Sequence, residues 1–145
     1  MTLAAILRQK GREVASVSPK TIISEVANLL AQRRIGAVLV CDSAMQILGV
    51  LSERDIVRAL ATHGAATLEF TAAQLMSSPV HSTHPETTVA AALGMMTAKR
   101  IRHLPVIDDE DNLAGLVSIG DVVKAMIDQQ KVEVESLTAY VTGSA

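Results

Sequence analysis

The sequence predicts a mixed α/β chain: two β-α-β-β-α repeats packed sheet to sheet with pseudo-two-fold symmetry. Three observations carry that prediction. Sliding the 145 residues over themselves by 66 positions lays 14–60 on 80–126 without a gap, with 13 identities in 47 positions. That is the mark of an internal duplication. Gly-x-x-Ser-x-x-Asp is spelled twice at the same offset, as "GVLSERD" from Gly49 to Asp55 and "GLVSIGD" from Gly115 to Asp121. Short apolar runs and helical periodicity also follow one another in the same order in both copies.

The elements follow in turn. After a first strand and Pro19, Thr21 is placed to cap a helix whose Ile23, Val26, Ala27 and Leu30 share one face. Val89, Ala92, Leu93 and Met96 occupy the same offsets in the second copy. "GAVLVCD" and "HLPVIDD" are apolar runs ending in acidic turn residues, hence buried strands, and "ILGVLS" and "LAGLVS" complete hairpins. From Ser52 and Ser118 the pattern is helical again, through Ile56, Val57, Leu60 and Val122, Val123, Met126. The predicted layout is a first repeat over 10–62, a linker over 63–75, a second repeat over 76–130 and a helical extension over 131–145. From the end of the second repeat into that extension, Ile127, Val134, Leu137 and Val141 have near-heptad spacing, interrupted at Gln130. It packs either on a partner chain or on its own domain.

Composition narrows the function. Phe70 and Tyr140 are the only large aromatics and the formal net charge is -2. Both argue against a nucleic-acid binder, which needs stacking platforms or a basic surface. Cys41 is the single cysteine, inside an apolar run, and reads as a small buried hydrophobe. The apolar stretch from Val89 to Met96 is far too short to span a bilayer, and the N-terminus carries no signal-peptide pattern. A cytoplasmic protein without membrane contact is expected. His81 and His84 lack a third metal ligand at recognisable spacing, His63 lies in the linker, and "DDED" from Asp108 reads as an exposed turn. No nucleophile–base pair or phosphate loop is present, so no enzyme is expected.

Two readings fit Ser-x-x-Asp. As a relative of the capping box it merely fixes a helix start. As a ligand site it offers a carboxylate to vicinal hydroxyls and a helix N-terminus to a phosphate, the makings of a ribose-phosphate site. The first does not exclude the second.

Tandem β-α-β-β-α repeats, each with Gly-x-x-Ser/Thr-x-x-Asp before its last helix, resemble cystathionine-β-synthase (CBS) domains paired into a Bateman module. The stretch "KRIRHLPVIDDEDNLAGLVSIGDVVKAM" is especially similar to the family pattern, and the chain resembles the stand-alone form of the module. The resemblance implies that the Asp holds the ribose of an adenosine-type ligand, that each cleft draws residues from both repeats, and that the modules form flat homodimers. It pairs Ser118 and Asp121 with Gly36 and Ala37, whose small side chains leave room for a base, and with Lys10, Gly11 and Arg12 near that base. Arg54, Arg102 and His103 supply cations toward the phosphates. Ser52 and Asp55 form a possible second site that binds more weakly or stays empty. The function this implies is regulatory sensing of an adenine nucleotide, AMP before ADP, ATP or NAD(H), read by a partner protein of unknown identity. The alternative is a dimerisation or interaction module with vestigial clefts.

Overall fold

The computed structural model describes residues 1–142. Chain order is α1 (Leu3–Lys10), β1 (Ser16–Val17), α2 (Ile23–Arg33), β2 (Ala37–Cys41), β3 (Ile47–Ser52), α3 (Glu53–His63), α4 (Ala72–Leu75), α5 (Val89–Lys99), β4 (His103–Ile107), β5 (Leu113–Ser118) and α6 (Ile119–Thr142). The chain divides into two units, one of Glu13–His81 and one of Met1–Arg12 with the chain from Ser82 onward. Each unit therefore combines one repeat with the segment that precedes the other repeat.

In the first-repeat unit β1 runs parallel to β2, and β2 pairs antiparallel with β3 from Ala37↔Ser52 to Cys41↔Ile47. All five residues of β2 are buried, as its unbroken apolar run requires. Ile23, Val26 and Leu30 of α2 pack with Val38, Val40, Leu51 and Ile56. In the second-repeat unit β4 and β5 pair antiparallel from His103↔Ser118 to Ile107↔Leu113. Its core joins Val89, Ala92 and Met96 of α5 to Leu104, Val106, Val117 and Val122, and Leu3, Ile6 and Leu7 of α1 complete it.

The duplication extends to backbone detail. Left-handed Arg34 (φ 53°) and Arg100 (φ 55°) end α2 and α5, and left-handed Met45 and Asp111 (both φ 62°) turn the two hairpins. Asp42 Oδ1 accepts the amides of Ala44 and Gln46, and Asp108 Oδ1 those of Glu110 and Asn112, all at 2.9 Å. The acidic run at Asp108 is thus a hairpin turn shaped by its first carboxylate. Both hairpins shift register at matching places, Val40/Cys41 and Val106/Ile107.

Four local expectations change. Thr21 does not cap α2: its Oγ1 accepts from Ser18 N (3.2 Å), and the cap position falls to Ile22. Ile22 has no side-chain oxygen to cap with, and the first helical amide, Ile23 N, donates to Phe70 O (2.8 Å). In the second copy the aligned residue is Thr88, which does cap, accepting from Ala91 N (3.1 Å). The first strand of the second repeat shrinks to one bridge, Thr83↔Val106. In the first repeat Leu39 N donates to Ala15 O; the aligned Pro105 has no N–H to give. The predicted linker holds a 3-10 helix over Gly64–Glu69, with Thr67 fully buried, and the short α4. Finally, α1 was not anticipated, although Leu3, Ile6 and Leu7 have helical spacing.

The C-terminal extension continues α6, which runs for 24 residues. It does not lie on its own domain: Val134, Leu137 and Val141 are 63–76% exposed. Residues 143–145 of the predicted extension lie outside the described residues. No helix among the described residues is long and apolar enough to cross a membrane.

Candidate functional site

The strand before each Ser-x-x-Asp carries its glycine because another element lies directly on it. A Cβ at Gly115 would stand 2.5 Å from Leu7 Cδ2 of α1, and one at Gly49 2.6 Å from Met76 Sδ just after α4. Glycine thus lets a preceding segment close over each strand and brings that segment's next residues to the Ser–Asp pair.

Both pairs form the reciprocal cap. Ser52 N donates to Asp55 Oδ2 (2.9 Å) and Asp55 N to Ser52 Oγ (3.2 Å), and Ser52 Oγ donates to Asp55 Oδ2 (3.0 Å). Ser118 N donates to Asp121 Oδ2 (2.8 Å) and Asp121 N to Ser118 Oγ (3.1 Å). The structural reading of the motif is therefore correct in both copies. What closes over each carboxylate differs. Ser77 Oγ donates to Asp55 Oδ1 at 3.4 Å, while Ser77 N and O pair with the backbone of Val50. At Asp121 the closing group is the Lys10 ammonium, which donates to Asp121 Oδ2 (2.6 Å) and to Leu116 O (2.8 Å).

The Asp121 carboxyl is held below its ordinary range. Half-burial acts to raise its pKa, but hydrogen bonds from Lys10 and Ser118 and the Lys10 charge outweigh that. Lys10 Nζ and Ser118 N both donate to Oδ2, which leaves Oδ1 as the carboxylate oxygen turned from these two donors. A carboxylate fixed at a helix start, ionised, with one oxygen capping and the other open can hold a hydroxyl donor.

The predicted site residues distribute as follows. Lys10, Gly11, Arg12, Arg102, His103, Ser118 and Asp121 belong to the second-repeat unit, and Gly36, Ala37, Ser52, Arg54 and Asp55 to the other. Lys10, expected near a base, reaches the carboxylate. Gly11 (φ 94°) ends α1, its N–H bonding Leu7 O at 2.8 Å, which leaves Lys10 as the last helical residue. Within their units Ala37 stands across from Ser52 and His103 across from Ser118. Gly36 O and Arg102 O accept the first amides of α3 and α6, from Glu53 N and Ile119 N. Arg12, Arg54 and Arg102 are exposed. Gly36 also lines a mostly apolar groove of about 460 Å³ between α2 and α3, with Leu30, Ala31 and Ile56. Sequence reasoning missed Ser77. Carrying the offset of 66 upstream would have laid it over Gly11 and flagged the segment.

The remaining candidates stay structural. His84 Nδ1 contacts Ile107 O (3.0 Å), His63 packs against Phe70 with ring centroids 5.1 Å apart, and burial followed by the Asp42 charge pushes the Cys41 thiol up. No His/Cys/Asp/Glu cluster among the described residues could hold a metal ion.

A family model described as the CBS domain matches residues 10–62 and 72–128. The chain belongs to the CBS domain family. A CBS-domain-containing protein from Agrobacterium tumefaciens shares 40% identity and a TM-score of 0.83, over 87% of this chain and 99% of that one. A CBS domain protein from Pyrobaculum aerophilum, solved in complex with AMP, is 29% identical with a TM-score of 0.72, over 83% of this chain and 89% of that one. A mitochondrial CBS domain-containing protein of Arabidopsis thaliana is 29% identical over 98% of this chain and 72% of its own length. The mixed α/β fold of this CBS pair is thus the fold of solved CBS proteins.

Proposed function

We propose that this CBS pair is a regulatory module that binds an adenosine-type ligand at Ser118 and Asp121, AMP before ADP, ATP or NAD(H). The observation that carries the proposal is the division of labour on Asp121, whose Oδ2 takes the donors of the helix cap and of Lys10, leaving Oδ1 to the ligand. A ribose presents the vicinal hydroxyl donors that an ionised carboxylate grips with charge-assisted bonds. The Pyrobaculum aerophilum relative, solved with AMP, supports the same ligand class. In this proposal Arg102 and His103 serve the phosphate from beside Ser118, and Gly36, Ala37, Arg12 and Arg54 are further contributors to be tested one by one. Asp55, already met by Ser77, is the weaker site.

Nucleotides released from the purified protein, identified by mass spectrometry, test the ligand class directly. AMP at about 100 times its Kd should stabilise the fold by about 2.7 kcal/mol, and Asp121→Ala should reduce this far more than Asp55→Ala. Equal responses in both variants and wild type would remove Asp121 from the site.

A second reading, compatible with the first, is self-association. Val132, Val134, Leu137, Tyr140 and Val141 of α6 are exposed, as is Val57 of α3 at 63%. The near-heptad seam of Ile127, Val134 and Val141 with Leu137 matches the same seam on a second copy of this chain, with Gln130 as its polar register point.

A further inference from the structure

The two units meet the carbonyl before each Ser–Asp pair in different ways. Val50 O accepts the backbone amide of Ser77 at 2.8 Å. The aligned Leu116 O accepts the Lys10 ammonium, also at 2.8 Å, and that ammonium continues to Asp121 Oδ2. One side-chain cation therefore does at Asp121 what a fixed amide and a hydroxyl do at Asp55. A backbone amide is neutral and cannot leave. An ammonium on a four-carbon stem is charged and can swing.

We infer that Lys10 sets the charge selectivity of the Asp121 site, holding the carboxylate against neutral ligands and yielding it to ligands that carry their own phosphate. This rests on the proposed adenosine-type site. A vicinal diol can engage Oδ1 freely, but gripping both carboxylate oxygens means displacing Lys10 from Oδ2. A nucleoside gives the displaced ammonium nothing. A nucleoside monophosphate offers it an anion, so the cation lost to the carboxylate is recovered by the ligand. Lys10 and Asp121 side chains are 39% and 26% exposed, so their pairing handicaps a neutral ligand by no more than about 5-fold. An ammonium–phosphate bond favours the anionic ligand by about 10-fold or more.

Calorimetry of adenosine and AMP on the full chain, wild type against Lys10→Met and Lys10→Arg, tests this. Methionine keeps the apolar stem without the charge. Lys10→Met should bind adenosine as tightly as wild type or up to about 5-fold tighter, and should lower the AMP-to-adenosine affinity ratio about 10-fold or more. Lys10→Arg should keep most of the ratio. If Lys10→Met weakens both ligands alike, or alters neither, Lys10 only positions Asp121 and the selectivity proposal is overturned. If wild type binds neither adenosine nor AMP, the adenosine-type reading itself fails and takes this proposal with it.

Discussion

Replacing Asp121 by Asn separates the two jobs of its carboxylate. An Asn at this position can still accept the Ser118 N–H through its amide oxygen, so the cap that Asp121 now makes at 2.8 Å survives. What it loses is charge. The half-exposed pair with Lys10 is worth about 0–1 kcal/mol, so Asp121→Asn should cost at most about 1 kcal/mol of stability, a melting shift of a few degrees. Asp121→Ala also removes the bond that Asp121 accepts from Ser118 N, adding about 0.5–1.5 kcal/mol, while the cap from Ser118 Oγ to the backbone of residue 121 remains. Ligand affinity should rank differently. Both variants lose the charge-assisted grip on the ribose, worth about 1.5–3 kcal/mol, or roughly 10- to 150-fold in Kd. AMP titration calorimetry beside thermal unfolding of the three proteins gives the comparison. The expected pattern is a near-native melt with crippled binding for Asp121→Asn. If its AMP affinity is native while Asp121→Ala loses both, the motif is a helix cap alone and the ligand role is refuted.

Four further outcomes are expected. Gly115→Ala should destabilise by about 1–3 kcal/mol, because its Cβ meets buried Leu7 at 2.5 Å; Gly49→Ala should cost less, since the obstructing Met76 is a flexible, half-buried thioether; equal melts would contradict this. Thr88→Ala should cost about 0.5–2 kcal/mol through the lost cap of α5, whereas Thr21→Ala should not show a cap's cost, since Thr21 makes none. Because the Asp121 pKa lies below the ordinary 3.8, its charged form contributes stability above that value and loses it as pH falls through the folded pKa. The stability gap between wild type and Asp121→Asn should therefore be present at neutral pH and close under strongly acidic conditions; a gap that widens on acidification has the wrong sign. A chain ending at Gln129 should dissociate at higher concentration than the full chain in sedimentation, and unchanged self-association would clear the α6 extension of any part in it.

The fold was legible because the duplication doubled every signal. A lone run such as "LAGLVS" is ambiguous, but the same run at the same offset from a second copy is not. The misses occurred where the copies differ in a single backbone donor or side-chain oxygen. Pro105 in place of Leu39 cancelled a strand, and Ile22 in place of Thr88 moved a cap. α1 escaped notice because it has no repeat partner of its own length: the matching segment before the second repeat folds as a four-residue helix. The site was half legible. Ser118 and Asp121 announce themselves, but the position of Lys10 depends on Gly11 ending α1 and on Leu7 docking against Gly115. The first is local but matters only once α1 is recognised, and the second is a tertiary contact between residues about a hundred apart in sequence.

That dependence bears on how the two copies came to differ in chemistry while matching in motif. A helix cap constrains only Ser, Asp and the two residues between them, so two capping boxes place equal demands on the two repeats. A ligand site constrains whatever closes over the carboxylate, and here the closing group belongs to the segment preceding the opposite repeat. At Asp55 that segment is tied by reciprocal Val50–Ser77 backbone bonds at 2.8 and 3.1 Å, each contributing about 0.5–1.5 kcal/mol net, which makes the closure costlier to open. At Asp121 the segment is anchored by Leu3, Ile6 and Leu7 in the core, but the carboxylate itself is met from that segment by the part-exposed Lys10, a screened and replaceable contact. A module that responds to a ligand needs an element whose contacts differ between the empty and occupied states. Of the two closures, only the lysine can change partners without breaking backbone pairing, so under the proposed function the group expected to respond first to ligand is Lys10 rather than Ser77.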